Sequence, residues 1–148
     1  MASQDFYQDI KKFNDIYKLP NNDSPTLLGP ERVDNFRDIL MEEVHEAEEI
    51  HDKYKALLEK NGGELAAEDK LHLLTDMSDW LGDIVVYCAS EARRWGLPME
   101  KILEVIMQSN FSKLDENGKP IYDERGKVMK GPSYWKPEPK ISELLKDK

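Results

Sequence analysis

A chain of 148 residues, 39% of them hydrophobic, carries apolar material for one modest core and a single domain spanning 1–148. Asp and Glu total 30 against 21 for Lys and Arg, and the formal net charge of -9 argues against a passive binder of nucleic acid or of an anionic membrane. Cys88 is alone, so no intrachain disulfide can form. With no apolar run of the roughly 18 residues that a membrane helix needs, and no basic region leading into an apolar stretch at Met1 to Asp5, a reducing cytoplasmic setting is expected.

Phe6, Ile10, Phe13 and Tyr17 recur at helical spacing and predict a first amphipathic helix from about Asp5 to Tyr17, with Asn14 beside its apolar face. A polar loop follows from Leu19-Pro20 to Gly29-Pro30; Pro25 breaks regular structure and Pro30 suits the first turn of the next helix. That second helix runs from about Glu31 to Lys60 and stops at Asn61-Gly62-Gly63, where glycine supplies left-handed backbone. At ~100° per residue, Val33, Phe36, Ile39, Leu40, Val44, Ala47, Ile50, Tyr54 and Leu58 form one apolar face. Glu43 points into the middle of that face and Glu46 lies at its edge, whereas Glu42, His45, Glu48 and Glu49 point away as a solvated charge run does. Arg37 stands on the flank.

The third helix runs from about Leu65 to Trp95 and ends at Gly96, with an expected apolar face through Leu74, Met77, Leu81, Ile84, Val85, Cys88, Ala92 and Trp95. Asp76, Asp79 and Asp83 make a stripe on it, flanked by Trp80 and Tyr87. Pro98 opens a fourth helix carrying Ile102, Leu103, Ile106 and Met107. Helices with such short connections predict an all-α, four-helix-bundle-type core over about 5–110. Helices approaching thirty residues in so short a chain also predict that the core is completed by pairing between copies through the helices, as a dimer or a tetramer.

An isolated carboxylate carried into an apolar face costs several kcal/mol unless it is neutralised, hydrogen-bonded or bound to a cation. Glu-rich helical runs are ordinarily solvated faces; the inward phase of Glu43 and the aspartate stripe that follows decide for a site instead. Carboxylates gathered from two facing helices repel one another unless something positive sits between them, and all-oxygen ligation suits Mg²⁺ or Mn²⁺. Competing motifs fail on spacing or phase. Glu49 stands where a zinc-protease motif begun by His45-Glu46 needs its second histidine, and Glu42 and His45 face outward where a di-iron bundle needs them inside. Lys119 occupies a ligand position of the calcium-loop-like start at Asp115, and there is no glycine-rich phosphate loop.

After Asn110 the composition changes. Asp115-Glu116-Asn117-Gly118-Lys119 and Asp123-Glu124-Arg125-Gly126-Lys127 form a near-repeat around Pro120-Ile121-Tyr122 and Lys127-Val128-Met129, which predicts a small hairpin within a tail of about 111–140. Lys113, Lys119, Arg125, Lys127, Lys130 and Lys136 gather around Gly131-Pro132-Ser133-Tyr134-Trp135, a mixture of cations, aromatics and glycine able to hold phosphates and stack a base. A last short helix is expected from Ser142 to Lys146.

Glu42-Glu43-x-x-Glu46 followed by Asp76-x-x-Asp79 resembles the EExxE and ExxD pair of the all-α nucleoside triphosphate pyrophosphohydrolases, the MazG-like and phosphoribosyl-ATP pyrophosphohydrolase-like superfamily. Ser109 to Leu114, Asp115 to Gly118 and Gly126 to Pro132 look like the C-terminal signature of its subgroup with dimeric dUTP-hydrolysing members, so the resemblance covers nearly the whole chain. It implies a MazG-like fold and hydrolysis of a nucleoside triphosphate to the monophosphate and pyrophosphate. It further implies that Glu43, Glu46, Asp76 and Asp79 hold Mg²⁺, with Asp83 a further ligand or, like Glu46, the base. Asp76 departs from the glutamate usual at its position, and its shorter reach shifts weight toward Asp79 and Asp83. Substrate contacts are expected at Arg37, Asn110, Lys113 and Lys130, the tail residues reaching a neighbouring subunit's site, and at Asn14, Tyr87, Lys127 and Trp135. Two alternatives stand beside this reading: a phosphoribosyl-ATP pyrophosphohydrolase, and a non-catalytic helical protein that binds nucleotide or a partner helix.

Overall fold

The computed structural model describes residues 5–146; the readings at Met1 to Gln4 and at the last two positions lie outside the described residues. The fold is all-α, with helices α1 (Phe6–Ile16), α2 (Pro30–Lys60), α3 (Ala67–Arg94), α4 (Met99–Phe111) and α5 (Glu138–Lys146). The ends follow local chemistry. Asp5 caps α1 by accepting the amides of Tyr7 and Gln8 at 3.0 and 3.4 Å. Pro30 opens α2, and beyond its end the Gly63 N–H closes on the Leu58 carbonyl at 2.8 Å.

α3 is the element on which the others assemble, packing against α2 on one side and α1 on the other. Asn14 of α1 is completely buried there. Its amide donates to the Pro20 and Ser90 carbonyls at 3.2 Å each, and its oxygen accepts the Ser90 hydroxyl at 2.7 Å. The loop between α1 and α2 folds onto the end of α3 and satisfies carbonyls that a helix terminus leaves without partners. The Asn22 amide donates to Arg93 O at 2.8 Å, the Asn22 side chain to Arg94 O at 2.6 Å, and the Thr26 amide to Trp95 O at 2.8 Å. Gly96 permits this approach, since a Cβ on it would meet the Ser24 carbonyl oxygen at 1.8 Å.

α4 follows α3 through a tight connection and packs principally against α5. Three expectations are corrected. Ile10, Leu73, Ala89, Ala92 and Ile102 are the buried apolar side chains among the described residues, whereas Leu74, Met77, Leu81, Val85 and Cys88 on the expected face of α3 are exposed in the single chain. α3 instead turns its Asp83 and Glu91 register toward α2, because the carboxylates and their partners are what those two helices share. The tail hairpin shrinks to one antiparallel bridge, Tyr122 with Val128. It shrinks because two like turns consume the chain: the Asp115 carboxylate accepts the amides of Asn117 and Lys119, and the Asp123 carboxylate those of Arg125 and Lys127, at 2.8 to 2.9 Å. Finally, α5 begins at Glu138, a turn before the expected start.

Gly96→Ala is expected to cost about 3 kcal/mol, since both its left-handed backbone, at φ 66°, and the contact with Ser24 resist a side chain. Urea unfolding of the two proteins measures it; an unchanged midpoint would contradict the loop's packing on α3.

Candidate functional site

Glu43 is where the acidic residues meet. It is buried on α2 facing α3, and its Oε2 has no hydrogen-bond partner. Trp80 of α3 donates its indole N–H to the Glu43 carbonyl at 2.6 Å, which fixes the two helices in register at this point. Burial, then hydrogen bonding and repulsion from Glu46, then the charge of Asp83, push the Glu43 carboxyl above the ordinary glutamate range, while hydrogen bonding from Tyr87 works the other way. Burial and the charges of Glu43, Asp83 and Glu46 raise the Tyr87 phenol in turn. These four side chains therefore form one electrostatic unit.

Beside it a groove of about 210 Å³ is lined by Glu46, Glu49, Ile50, Lys53, Asp76, Asp79 and Trp80. Lys53 Nζ donates to Asp76 Oδ2 at 2.7 Å. Among the described residues, no group of three or more carboxylate, histidine or cysteine side chains converges at the spacing of a formed metal site. Bare carboxylates repel, and Lys53 holds Asp76 to itself. The donor set nevertheless fits an oxygen-seeking divalent cation, because Glu43 Oε2 is orphaned and the charges of Glu46 and Asp83 gather beside it.

On the other side of Asp83 and Tyr87 lies a second cavity of about 380 Å³, walled by Phe13, Leu19, Phe36, Ile39 and Val86 and closed by Arg32, Glu91 and Arg94. Glu91 is buried. Arg32 grips it with two hydrogen bonds, at 2.9 and 2.5 Å, and the Trp95 indole donates to it at 2.8 Å. Burial pushes the Glu91 carboxyl up, but the hydrogen bonds from Arg32 and Trp95, with the charges of Arg32 and Arg94, outweigh it and hold it below the usual range.

Of the residues expected in the site, Glu43, Glu46, Asp76, Asp79, Asp83 and Tyr87 are brought to the α2–α3 seam. The others stand elsewhere in this chain. Asn14 spends its amide inside the core, and Arg37 is exposed and tied to Asp34 and Asp38 of its own helix. Asn110, Lys113, Lys127, Lys130 and Trp135 belong to α4 and the tail, and among the described residues no hydrogen bond or ion pair joins 112–146 to α2 or α3. Trp135 is anchored instead to α4, where its carbonyl accepts the buried Ser109 hydroxyl at 2.8 Å and Lys140 covers its ring at 3.8 Å. Lys130 similarly lies over Tyr134. Lys53, Arg32, Glu91 and Arg94 join the site unanticipated. Lys53 follows Glu46 by two turns on the same side of α2, and Glu91 and Arg94 continue the stripe of Asp83 and Tyr87, so extending each face would have found them.

No protein-family model matches the chain, and no curated protein matches it. A solved structure from Exiguobacterium sp. 255-15, provisionally assigned as an NTP pyrophosphohydrolase, is similar to it with 25% identity over 98% of this chain and 97% of that one, at a TM-score of 0.48. No helix among the described residues is long and apolar enough to cross a membrane.

Two stability measurements check this geometry. Glu43→Gln removes a buried repelling charge, so the variant is expected to melt a few degrees above the wild type at pH 7 without divalent cations; a lower melting temperature would mean that Glu43 is already compensated. Arg32→Met should cost about 3 kcal/mol at pH 7 by stranding Glu91. A depressed carboxyl contributes stability above its unfolded value of 4.5, and that contribution is lost as the pH falls through the lower folded value. The gap between wild type and Arg32→Met should accordingly close below pH 4.5, and a gap independent of pH would contradict the pair.

Proposed function

We propose that this chain is a MazG-like nucleoside triphosphate pyrophosphohydrolase, dependent on Mg²⁺ or Mn²⁺. It cleaves a (deoxy)nucleoside triphosphate, with dUTP or another pyrimidine deoxynucleotide favoured, to the monophosphate and pyrophosphate. The observation that carries this reading is Glu43, a buried carboxylate with an orphaned oxygen, set beside Glu46 and Asp83 at the head of a groove that also holds Asp76 and Asp79.

Glu43, Glu46, Asp76 and Asp79 would hold the cation, with Asp83 as a further ligand or base. When bound, that cation supplies Lewis-acid polarisation of phosphate oxygens and an acidified water. Asp83 or Glu46 accepts the proton of the water that attacks the α-phosphorus in line. Trp80 lines the groove and holds the α2 backbone at Glu43, which fixes the buried carboxylate beside Glu46. Lys53, freed from Asp76, is the groove's cation for the leaving pyrophosphate. The aromatic cavity beyond Asp83 takes the nucleoside, whose ring packs among Phe13, Phe36 and Tyr87.

The same reading assembles the chain with copies of itself. Its accessible surface is 11252 Å², against ~7,800 Å² for a compact monomer of this mass, which leaves surplus surface for neighbouring copies to cover. The exposed stripe of Leu74, Met77, Leu81 and Val85 is the apolar face available for it. Such an assembly is also how Asn110, Lys113, Lys127, Lys130 and Trp135 would reach a neighbouring copy's groove.

The decisive assay is pyrophosphate release from ribo- and deoxyribonucleoside triphosphates with Mg²⁺, with Mn²⁺ and with chelator. Metal-dependent release with the matching monophosphate is expected, abolished in Glu43→Gln and lowered roughly 10²- to 10⁴-fold in Asp83→Asn if Asp83 is the base. Release from phosphoribosyl-ATP alone, or from none of them, would overturn the reading.

A further inference from the structure

The cavity beyond Asp83 ends in a cation whose donors are not used. Glu91 is a single negative charge between two guanidinium groups, and Arg32 already engages both of its oxygens, with the Trp95 indole on one of them. Arg94 approaches Glu91 only to 3.8 Å, beyond hydrogen-bond distance, and its side-chain nitrogens make no hydrogen bond among the described residues. Yet Arg94 is not a surface arginine. Its side chain is 20% exposed and lines the cavity with Phe13, Phe36 and Tyr87. A guanidinium offers five donors in a fixed plane and no acceptor.

Its place along α3 orders the site. Asp76, Asp79, Asp83, Tyr87, Glu91 and Arg94 follow one another at three- and four-residue steps, so one face of the helix passes from carboxylates through an aromatic ring to an unspent cation. Arg94 lies ~16 Å of helix rise beyond Asp83. A ligand with its phosphates among the carboxylates and its ring among the aromatics therefore turns the far edge of that ring toward Arg94. That edge distinguishes the bases. Uracil, thymine and guanine present a carbonyl oxygen there, while cytosine and adenine present an exocyclic amine, which only donates. A donor facing a donor leaves both without partners in a half-buried cavity, and that is the costly arrangement.

We propose that Arg94 reads the base, so that this site accepts nucleotides whose base carries a carbonyl oxygen on its outer edge and rejects those carrying an amine there. The inference rests on the nucleotide reading above and adds the class of base. dUMP and dCMP form the cleanest pair of probes, because they differ at that edge and share sugar and phosphate. Calorimetric titration of the wild-type protein is expected to show dUMP bound roughly tenfold or more tightly than dCMP, the worth of one hydrogen bond to a charged group. Arg94→Leu should bring the two affinities to within about twofold by weakening dUMP, and Arg94→Lys, which keeps the charge but not the fork, should retain part of the preference. With dUTP as substrate, the loss in Arg94→Leu should fall on KM and leave kcat nearly unchanged. Circular dichroism melts of both variants report whether Glu91 is still held.

Equal binding of dUMP and dCMP by the wild type, no binding of either, or a dUMP preference that survives in a folded Arg94→Leu, each overturns the role given to Arg94. Because these titrations read binding and the pyrophosphate assay reads turnover, a protein that hydrolyses nucleoside triphosphates while ignoring the 4-position would refute this inference and leave the proposed reaction standing.

Discussion

A carboxylate buried between two helices without a full set of partners is the constraint on which this molecule depends. Glu43 cannot be relieved by moving outward, because its own backbone carbonyl is held by the Trp80 indole across the seam. Its acidic neighbours Glu46 and Asp83 add to the repulsion, and the hydrogen bond from Tyr87 offsets only part of it. An apolar residue of similar volume would pack there at less cost. The architecture around it is what a long antiparallel helix pair needs in order to keep such a group in place. The loop after Asn61 is short, the Arg32–Glu91 pair pins α2 to α3 at the far end, and α1 is locked to α3 through Asn14.

The two ionic centres at the α2–α3 seam illustrate opposite uses of a buried charge. Glu91 is saturated: two arginines and an indole surround it, its proton affinity is lowered, and its work is to join elements distant in sequence. Glu43 is starved, its proton affinity is raised, and one of its oxygens is idle. The saturated centre provides rigidity for the starved one. A site that must hold several like charges close together needs a frame that does not relax when they repel, and the frame here is anchored two to three turns away from the repulsion.

Helical phase made much of this legible in advance. Glu43 stood out because an acidic residue fell in the middle of an apolar face, and the aspartate stripe because its three- and four-residue spacing repeats on one side of α3. Helix ends were legible from Pro30, Gly62, Gly63 and Gly96, each of which has a local steric reason. What the sequence did not reveal was tertiary. The pairing of Arg32 with Glu91 spans 59 residues and leaves no local mark. The outward turn of Leu74, Met77, Leu81 and Val85 reverses the expectation from hydrophobic periodicity, which identifies an apolar face and is silent on whether its partner lies in the same chain. Asn14 looked like a polar residue beside a face, and only the meeting of α1, α3 and the following loop makes it the completely buried member of a three-way hydrogen-bond junction. In the tail, the repeated Asp-Glu-x-Gly-Lys sequence predicted turns correctly, and each turn tightened until little strand remained between them.

The amides of Asn22 and Thr26 and the Asn22 side chain, in the loop between α1 and α2, are bonded to the last carbonyls of α3, including that of Arg94. Such a segment does not open residue by residue. Exposing the Asn22 and Thr26 amides to solvent requires the end of α3 to lose its caps as well, so the loop and the helix terminus exchange with water as one cooperative unit. Leu19, from the start of that loop, and Arg94, from the helix it caps, are both walls of the aromatic cavity. Opening of that unit would therefore displace two walls of the cavity together.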